Sequence, residues 1–283
     1  MAYKSLRSPA GNQRLVITYT ILVGVCVVLI LPLVWLLLTS LKKETEYLSY
    51  PIQVLPAIPQ WSNYVAALTM APFWQYARNS LTLGLTFSIL TVLTSAMCGF
   101  AFARIPVPGR SRLFKIVVAM LMVPTIVTLI PQFIVFARLG LTNTFWPWVL
   151  WGLSASPFHI FLFRQFFTAI PKELEDAAEV DGCGWFRIFW QIFLPNAKPV
   201  LATSFIFSFS WVWGDYLTPL IYLGADKAPL AVALTKAYTT EKGFPLITVT
   251  MAACVLYTIP LIILFFVGQR YLVRGVVTTG LKG

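Results

Sequence analysis

Charge is what this sequence has least of. Of its 283 residues only 11% are Asp, Glu, Lys or Arg, ten of them acidic, and there is a single histidine. A soluble globular domain carries about 25% charged residues. A water-facing globule built from this chain would leave large bare apolar patches, so that class is excluded. The lone His159 has no Cys, Asp or Glu at ligand spacing and reads as a packing histidine; no metal site is expected. Four cysteines, at positions 26, 98, 183 and 254, are too few and too scattered for a disulfide framework. Three of them lie in apolar runs, where the ordinary role is a small buried hydrophobe. There is no G-x-x-x-x-G-K-[ST] loop to cradle phosphates, no H-E-x-x-H, no G-x-S-x-G and no paired carboxylates within an apolar run. The net charge of +11 does not imply nucleic acid, because the basic residues flank apolar runs and form no single patch.

What is abundant is apolar: 58% of residues, with a mean hydropathy of +0.79. A bilayer core about 30 Å thick needs about 20 apolar residues in a helix, and backbone groups in lipid must bond within their own segment. Six runs meet that need, at about Leu15–Leu38, Leu81–Ala103, Phe114–Ala137, Thr144–Phe163, Val200–Leu223 and Leu246–Val267. The first follows Lys4, Arg7 and Arg14, as a signal peptide would, but it exceeds an h-region and no A-x-A site follows, so it reads as an uncleaved membrane helix. Fourteen Lys and Arg fall on the side of the N-terminus, the loop after the second run, the segment after the fourth and the C-terminus; seven fall on the other. The excess places both termini in the cytoplasm. Residues 1–14 are then a cytoplasmic N-terminus, 15–273 a six-helix transmembrane domain with a cytoplasmic loop at 164–198, and 274–283 a cytoplasmic tail. Prolines 32, 124, 131, 147, 157, 219 and 260 lie in or near the runs and predict kinks or breaks, as expected of a bundle that surrounds a path.

One segment does not belong in lipid. Residues 170–195 hold five of the ten acidic residues: Glu173, Glu175, Asp176, Glu179 and Asp181. Pro171 suits the first position of a helix, and the acids that follow complement its dipole. Leu174, Ala177 and Ala178 predict one narrow apolar face. Gly182 and Gly184 end the helix, and a second amphipathic stretch, Trp185–Phe193, runs to Pro195. Small residues permit close backbone approach, so the first helix reads as a knob for a groove on another protein. The rival placement, flat on the membrane surface, is disfavoured by an acidic polar face that anionic lipid would repel.

Asp176-Ala177-Ala178-Glu179-Val180-Asp181-Gly182-Cys183, with Leu194-Pro195 beyond, resembles the EAA coupling motif of permease subunits of ABC importers. Asp176 stands where that family has Glu, and Cys183 where it has Ala. Ser40-Leu41-Lys42, Asn79-Ser80-Leu81, Ala101-Phe102-Ala103-Arg104, Trp213-Gly214-Asp215-Tyr216-Leu217 and the tail Arg274–Gly283 are similar to the maltose-type carbohydrate branch. The resemblance implies an all-α polytopic type I importer permease fold in the plasma membrane of a prokaryote. It implies a second, homologous permease subunit, two ATP-binding cassette subunits and an extracytoplasmic solute-binding protein as partners. It implies no enzyme activity and no cofactor in this chain, ATP and magnesium being held by the ATPase subunits. It assigns ATPase coupling to Glu175, Asp176, Ala177, Ala178, Asp181 and Gly182.

For the substrate path, Trp211, Trp213, Asp215 and Tyr216 are the candidates. Aromatic rings and a carboxylate suit the C–H faces and hydroxyl edges of a sugar, and a carboxylate at helix depth suggests function. Equally open here, the tryptophans anchor the interface or pack, and Asp215 faces water or caps a partner. Residues 42–61 and 224–244 are either solvated loops or contacts for the binding protein. A non-sugar cargo is the alternative within the family. An ion-coupled secondary transporter is a remoter one, since the runs other than the fifth are nearly empty of intramembrane acids.

Overall fold

The computed structural model describes residues 9–240 and 242–280, with side chains over 13–240 and 242–271. Among these the chain is all-α, its one strand-like feature an isolated antiparallel bridge between Thr239 and Pro245. In chain order the helices are α1 (Pro9–Ser40), α2 (Glu44–Tyr47), α3 (Ser62–Thr69), α4 (Phe73–Arg104), α5 (Arg110–Ala119), α6 (Thr125–Arg138), α7 (Trp146–Leu153) and α8 (Pro157–Thr168). Then follow α9 (Glu173–Val180), α10 (Trp185–Ile188), a π turn at Phe189–Phe193, α11 (Leu194–Asn196), α12 (Lys198–Trp213), α13 (Leu217–Tyr222), α14 (Leu230–Ala233) and α15 (Ile247–Gly280). The N-terminal tail up to Ser8 and the last three residues of the C-terminal tail lie outside the described residues.

Three helices, over Gln13–Ser40, Phe73–Arg104 and Ile247–Tyr271, are each long and apolar enough to cross a bilayer alone. The other expected runs are interrupted, each for a local reason. The third bends by 97° between Met122 and Thr125, where Pro124 withholds an amide donor. The fourth divides into α7 and α8 at Ser154–Ser156, with Ala155 at φ 57° and Pro157 opening the new helix. The fifth stops at Gly214 and resumes at Leu217. A further 81° bend separates the segment Trp185–Asn196 from α12, so the stretch before the fifth run turns sharply away from it.

Contacts divide the chain into two compact units, Met1–Ala71 with Lys236–Tyr257 and Pro72–Thr235 with Thr258–Gly283. In the first, the apolar window of α1 is entirely exposed. A helix apolar all round suits lipid, not water. Cys26 accordingly points outward and is exposed, contrary to the buried role expected of it. At the end of α1, Ser40-Leu41-Lys42 forms a knot. Ser40 Oγ meets Tyr64 OH at 2.7 Å, and Asn63 Nδ2 donates to the carbonyls of Ser40 and Lys42 at 2.9 and 2.8 Å. The Lys42 ammonium is buried, donates to the Gln53 carbonyl and lies 4.6 Å from the Trp35 ring centroid. Glu44 accepts from the amides of Ile247 and Thr248 at 2.9 and 3.0 Å and from the Thr248 hydroxyl at 2.7 Å. A carboxylate at a helix N-terminus meets both its orphan amides and its dipole.

In the second unit α4 is the central post, with α7, α8 and α12 packed around it. Gly84, Ser88, Thr91, Ser95 and Gly99 recur at helical spacing and are all buried. Such small residues are how membrane helices approach closely. A Cβ at Gly99 would fall 2.5 Å from Phe163 Cβ, and one at Gly84 would fall 2.8 Å from the Phe209 ring. The same helix stitches the α7–α8 break: Ser156 N donates to Ser95 Oγ at 3.0 Å, and Thr94 Oγ1 donates to the Gly152 carbonyl at 2.9 Å. Backbone groups freed in a membrane are thus satisfied by neighbours. His159, on α8, is buried with its Nε2 3.1 Å from Ser208 Oγ.

Candidate functional site

The acidic segment folds as a short helix, α9, beginning at Glu173 with Pro171 two residues ahead of it. Glu173, Glu175 and Asp176 lie in its first turn, at the positive end of the dipole. Its far end shows why the sequence reads Asp-Gly. Gly182 sits at φ 76°, its amide donates to the Glu179 carbonyl at 3.0 Å, and the Cys183 amide donates to Ala178 at 2.9 Å. That pair of bonds is the Schellman stop, which requires a left-handed residue where Gly182 stands. Cys183 and Ala178 belong to the same apolar cluster, completing the motif's hydrophobic contact.

The structure divides the expected apolar face. Ala178 turns inward beside Glu175, and both are buried; Leu174, Ala177 and Val180 are exposed, Val180 by 89%. The helix therefore packs on its i, i+3 pair (Glu175, Ala178) and leaves Leu174, Ala177 and Val180 as an apolar strip outward. Asp176, Asp181 and Gly182 are also exposed. Asp176 lies 3.5 Å from Lys172, but both are open to solvent and the pair contributes little. Among the six expected coupling residues, Asp176, Ala177, Asp181 and Gly182 lie on the outside, and Glu175 and Ala178 do not.

Glu175 faces Arg104, the last residue of α4. Its Oε2 lies 3.4 Å from Arg104 Nη1, with the two side chains 5% and 11% exposed. Burial pushes the Glu175 carboxyl above its ordinary range, although the Arg104 charge opposes that shift. The same guanidinium donates through Nε and Nη2 to the Phe167 carbonyl at 3.2 and 2.6 Å, and through Nη2 to the Ile170 carbonyl. Its Cζ lies 5.1 Å from the Phe193 ring centroid. Beneath it Phe100, Phe163, Phe167, Phe189 and Phe193 form one aromatic cluster, with Phe100 and Phe193 centroids 4.8 Å apart. In the sequence, Arg104 stands out only as one of the basic residues that set topology and as the end of the Ala101-Phe102-Ala103-Arg104 fragment. Its position, closing an apolar run, together with one acid on the same face as Ala178, was the available signal.

The four path candidates do not converge on one surface. Trp213 is buried and stacks on Phe209 at 5.3 Å, while Trp211 is 66% exposed. Asp215 is half-buried, and its Oδ1 accepts from the Thr218 amide at 3.1 Å in the first turn of α13. Tyr216 is exposed beside it. At the opposite end of α4 from Arg104, Gln75 and Asn79 donate to the carbonyl of Asp226 at 2.7 and 3.4 Å. Lys227 Nζ donates to the Asn143 carbonyl at 2.6 Å. Part of the 224–244 segment is thus fastened to the bundle instead of standing free as a solvated loop.

Residues 92–278 match the model of the family described as binding-protein-dependent transport system inner membrane component. The chain belongs to that family. It is a multi-pass membrane permease that works with ATPase and solute-binding partners, a transport component and not an enzyme. Among relatives, it is 34% identical over 263 residues to an osmoprotective compounds uptake permease protein of Synechocystis sp., covering 89% of this chain and 87% of that one. It is 32% identical to a diacetylchitobiose uptake system permease protein of Streptomyces coelicolor, over 94% of this chain and 89% of the relative. It is 31% identical to an arabinooligosaccharides transport system permease protein of Halalkalibacterium halodurans, over 99% and 100%. In fold, the permease matches a chain from the crystal structure of a bacterial ABC transporter involved in the import of the acidic polysaccharide alginate. That match has a TM-score of 0.82 and 23% identity, over 94% of this chain and 98% of the other.

Proposed function

We propose that this permease forms half of the translocation pathway of an ATP-driven sugar importer, beside a second, homologous permease and above two ATP-binding subunits. Nucleotide and magnesium belong to those subunits, and both termini of this chain face the cytoplasm. The reading of the cargo as a sugar rests on relatives named for diacetylchitobiose and arabinooligosaccharide uptake. The reading of the coupling site rests on one observation above all: α9 is anchored by Glu175 and Ala178 while Asp176, Ala177, Asp181 and Gly182 remain outward. An outward face of Leu174, Ala177 and Val180, ended by a glycine turn, is an apolar surface that a groove on an ATPase can enclose. ATP-driven closure below would move α9, and the broken membrane helices would rock between inward and outward states.

Purification from its native membrane is the test. The permease should co-purify with an ATP-binding subunit and a second permease; a solitary polypeptide that imports solute without nucleotide ends the proposal. Gly182→Arg should assemble poorly or leave ATP hydrolysed without uptake, and normal sugar uptake by that variant counts against the docking surface. Because Gly182 is left-handed, Gly182→Ala measures the backbone strain alone, about 1 kcal/mol or more.

The break between α12 and α13 is the proposed sugar contact on this chain. Interrupted membrane helices are where transporters place solute, and Trp211, Asp215 and Tyr216 all reach the surface there. Trp213 enters only as the packing that holds the break in place. Asp215→Ala should raise the KM for uptake, and unchanged uptake kinetics would remove the residue from the path.

A further inference from the structure

Arg104 has more work than an ion pair requires. One guanidinium holds Glu175 of α9, two carbonyls at the end of α8 and the face of Phe193 in the π turn, from its seat at the end of α4. The planar five-donor fork makes this possible; an ammonium is a point charge and does not reproduce it. Buried ion pairs are poor stabilisers, because desolvation offsets their attraction, and an apolar pair of similar volume often does as well. Here the carboxylate Oε2 has no hydrogen-bond partner, and burial pushes the Glu175 carboxyl up. The arrangement therefore has a cost to folding and calls for another explanation. That explanation lies in where the four groups sit. The residues Arg104 joins belong to the acidic helix, to the last turn of α8 and the bend that follows it, and to the aromatic turn leading into α12, and α4 itself runs back through the small-residue seam to the opposite end of the bundle.

We propose that Arg104 and Glu175 are positioning residues that carry the displacement of α9 into α4 and α8, so that nucleotide-driven movement reaches the membrane helices instead of being absorbed at the loop. This rests on the reading that α9 docks on the ATPase. Neither residue touches solute or nucleotide; each acts through the elements it joins.

The test is the amount of solute taken up per ATP hydrolysed, measured on the whole reconstituted transporter, together with the amount of ATPase that co-purifies. A merely structural lesion lowers the yield of complex and moves uptake and hydrolysis together, leaving their ratio alone. Glu175→Gln keeps the shape and removes the charge; Arg104→Lys keeps the charge and removes the fork. Both should keep the ATPase in the complex while uptake per ATP falls about tenfold, within the range of a coupling free energy between sites. A wild-type ratio in Glu175→Gln overturns the proposal. A wild-type ratio in Arg104→Lys overturns it too, since charge alone would then suffice. Loss of the ATPase from either variant also overturns it, by making the pair a shaper of the docking surface. If the unaltered permease purifies without any ATPase, the docking reading has failed first and this one falls with it, a result separable from all the others.

Discussion

Two buried charges, Glu175 and Lys42, show how single residues are used in this permease. Lys42 satisfies its ammonium with the Gln53 carbonyl and the Trp35 face. Its side chain is structural. Glu175 is held above its ordinary carboxyl value, mainly by burial. A carboxyl whose folded value is raised favours folding most below the ordinary value of 4.5, and that contribution is lost as pH rises through the folded value. Glu175→Gln, which cannot ionise, should therefore gain on the unaltered protein as pH rises across this window and be at least as stable at neutral pH. Thermal melting of the purified complex across pH checks this; a variant that falls behind as pH rises refutes it. Neither burial was legible from sequence. Lys and Glu are solvated by default, and only the folded neighbours, distant in the chain, decide otherwise.

At the scale of elements, periodicity and composition placed the apolar runs well, and breakers explain where they stop. Pro124 and Pro157 were visible; the stop at Gly214 was not, since the sequence pointed to Pro219, which lies inside α13, and neither was the left-handed backbone of Ala155, because nothing in its chemistry favours it. The acidic helix was legible as a helix, together with its glycine stop. Its inward face was not, since Leu174 and Ala177 are apolar yet exposed and Glu175 is charged yet buried. An apolar pattern names a candidate face, but it does not say whether that face meets the rest of the chain. The α4 seam gives a sharper test of packing. Gly99→Ala places a methyl against Phe163 Cβ and the Arg164 amide, and overpacking of that kind costs about 1–3 kcal/mol. Gly24→Ala on α1 meets nothing within 4 Å. The first should lower the melting temperature of the purified complex and the second should leave it unchanged or raise it slightly.

Over the whole molecule, the arrangement of charge makes a prediction about sidedness. In the second unit, Arg104 and α9 lie at one end of α4, while Asn79, Asp226 and Lys227 meet at the other. With the four native cysteines replaced by serine, Asp181→Cys should be shielded in intact cells from a membrane-impermeant thiol reagent, and Thr235→Cys should react. Labelling in the reverse order would invert the orientation read from the Lys and Arg count. A transporter's cargo is the least legible property at this scale. Of the four residues proposed for the path, Trp213 is buried in packing, and the other three carry no pattern that singles out one solute.

The carboxylate of Glu44 bonds to amides 203 and 204 positions further along the chain. During synthesis it emerges long before its partners exist, so the earliest connecting loop cannot finish maturing until the closing helix has been inserted.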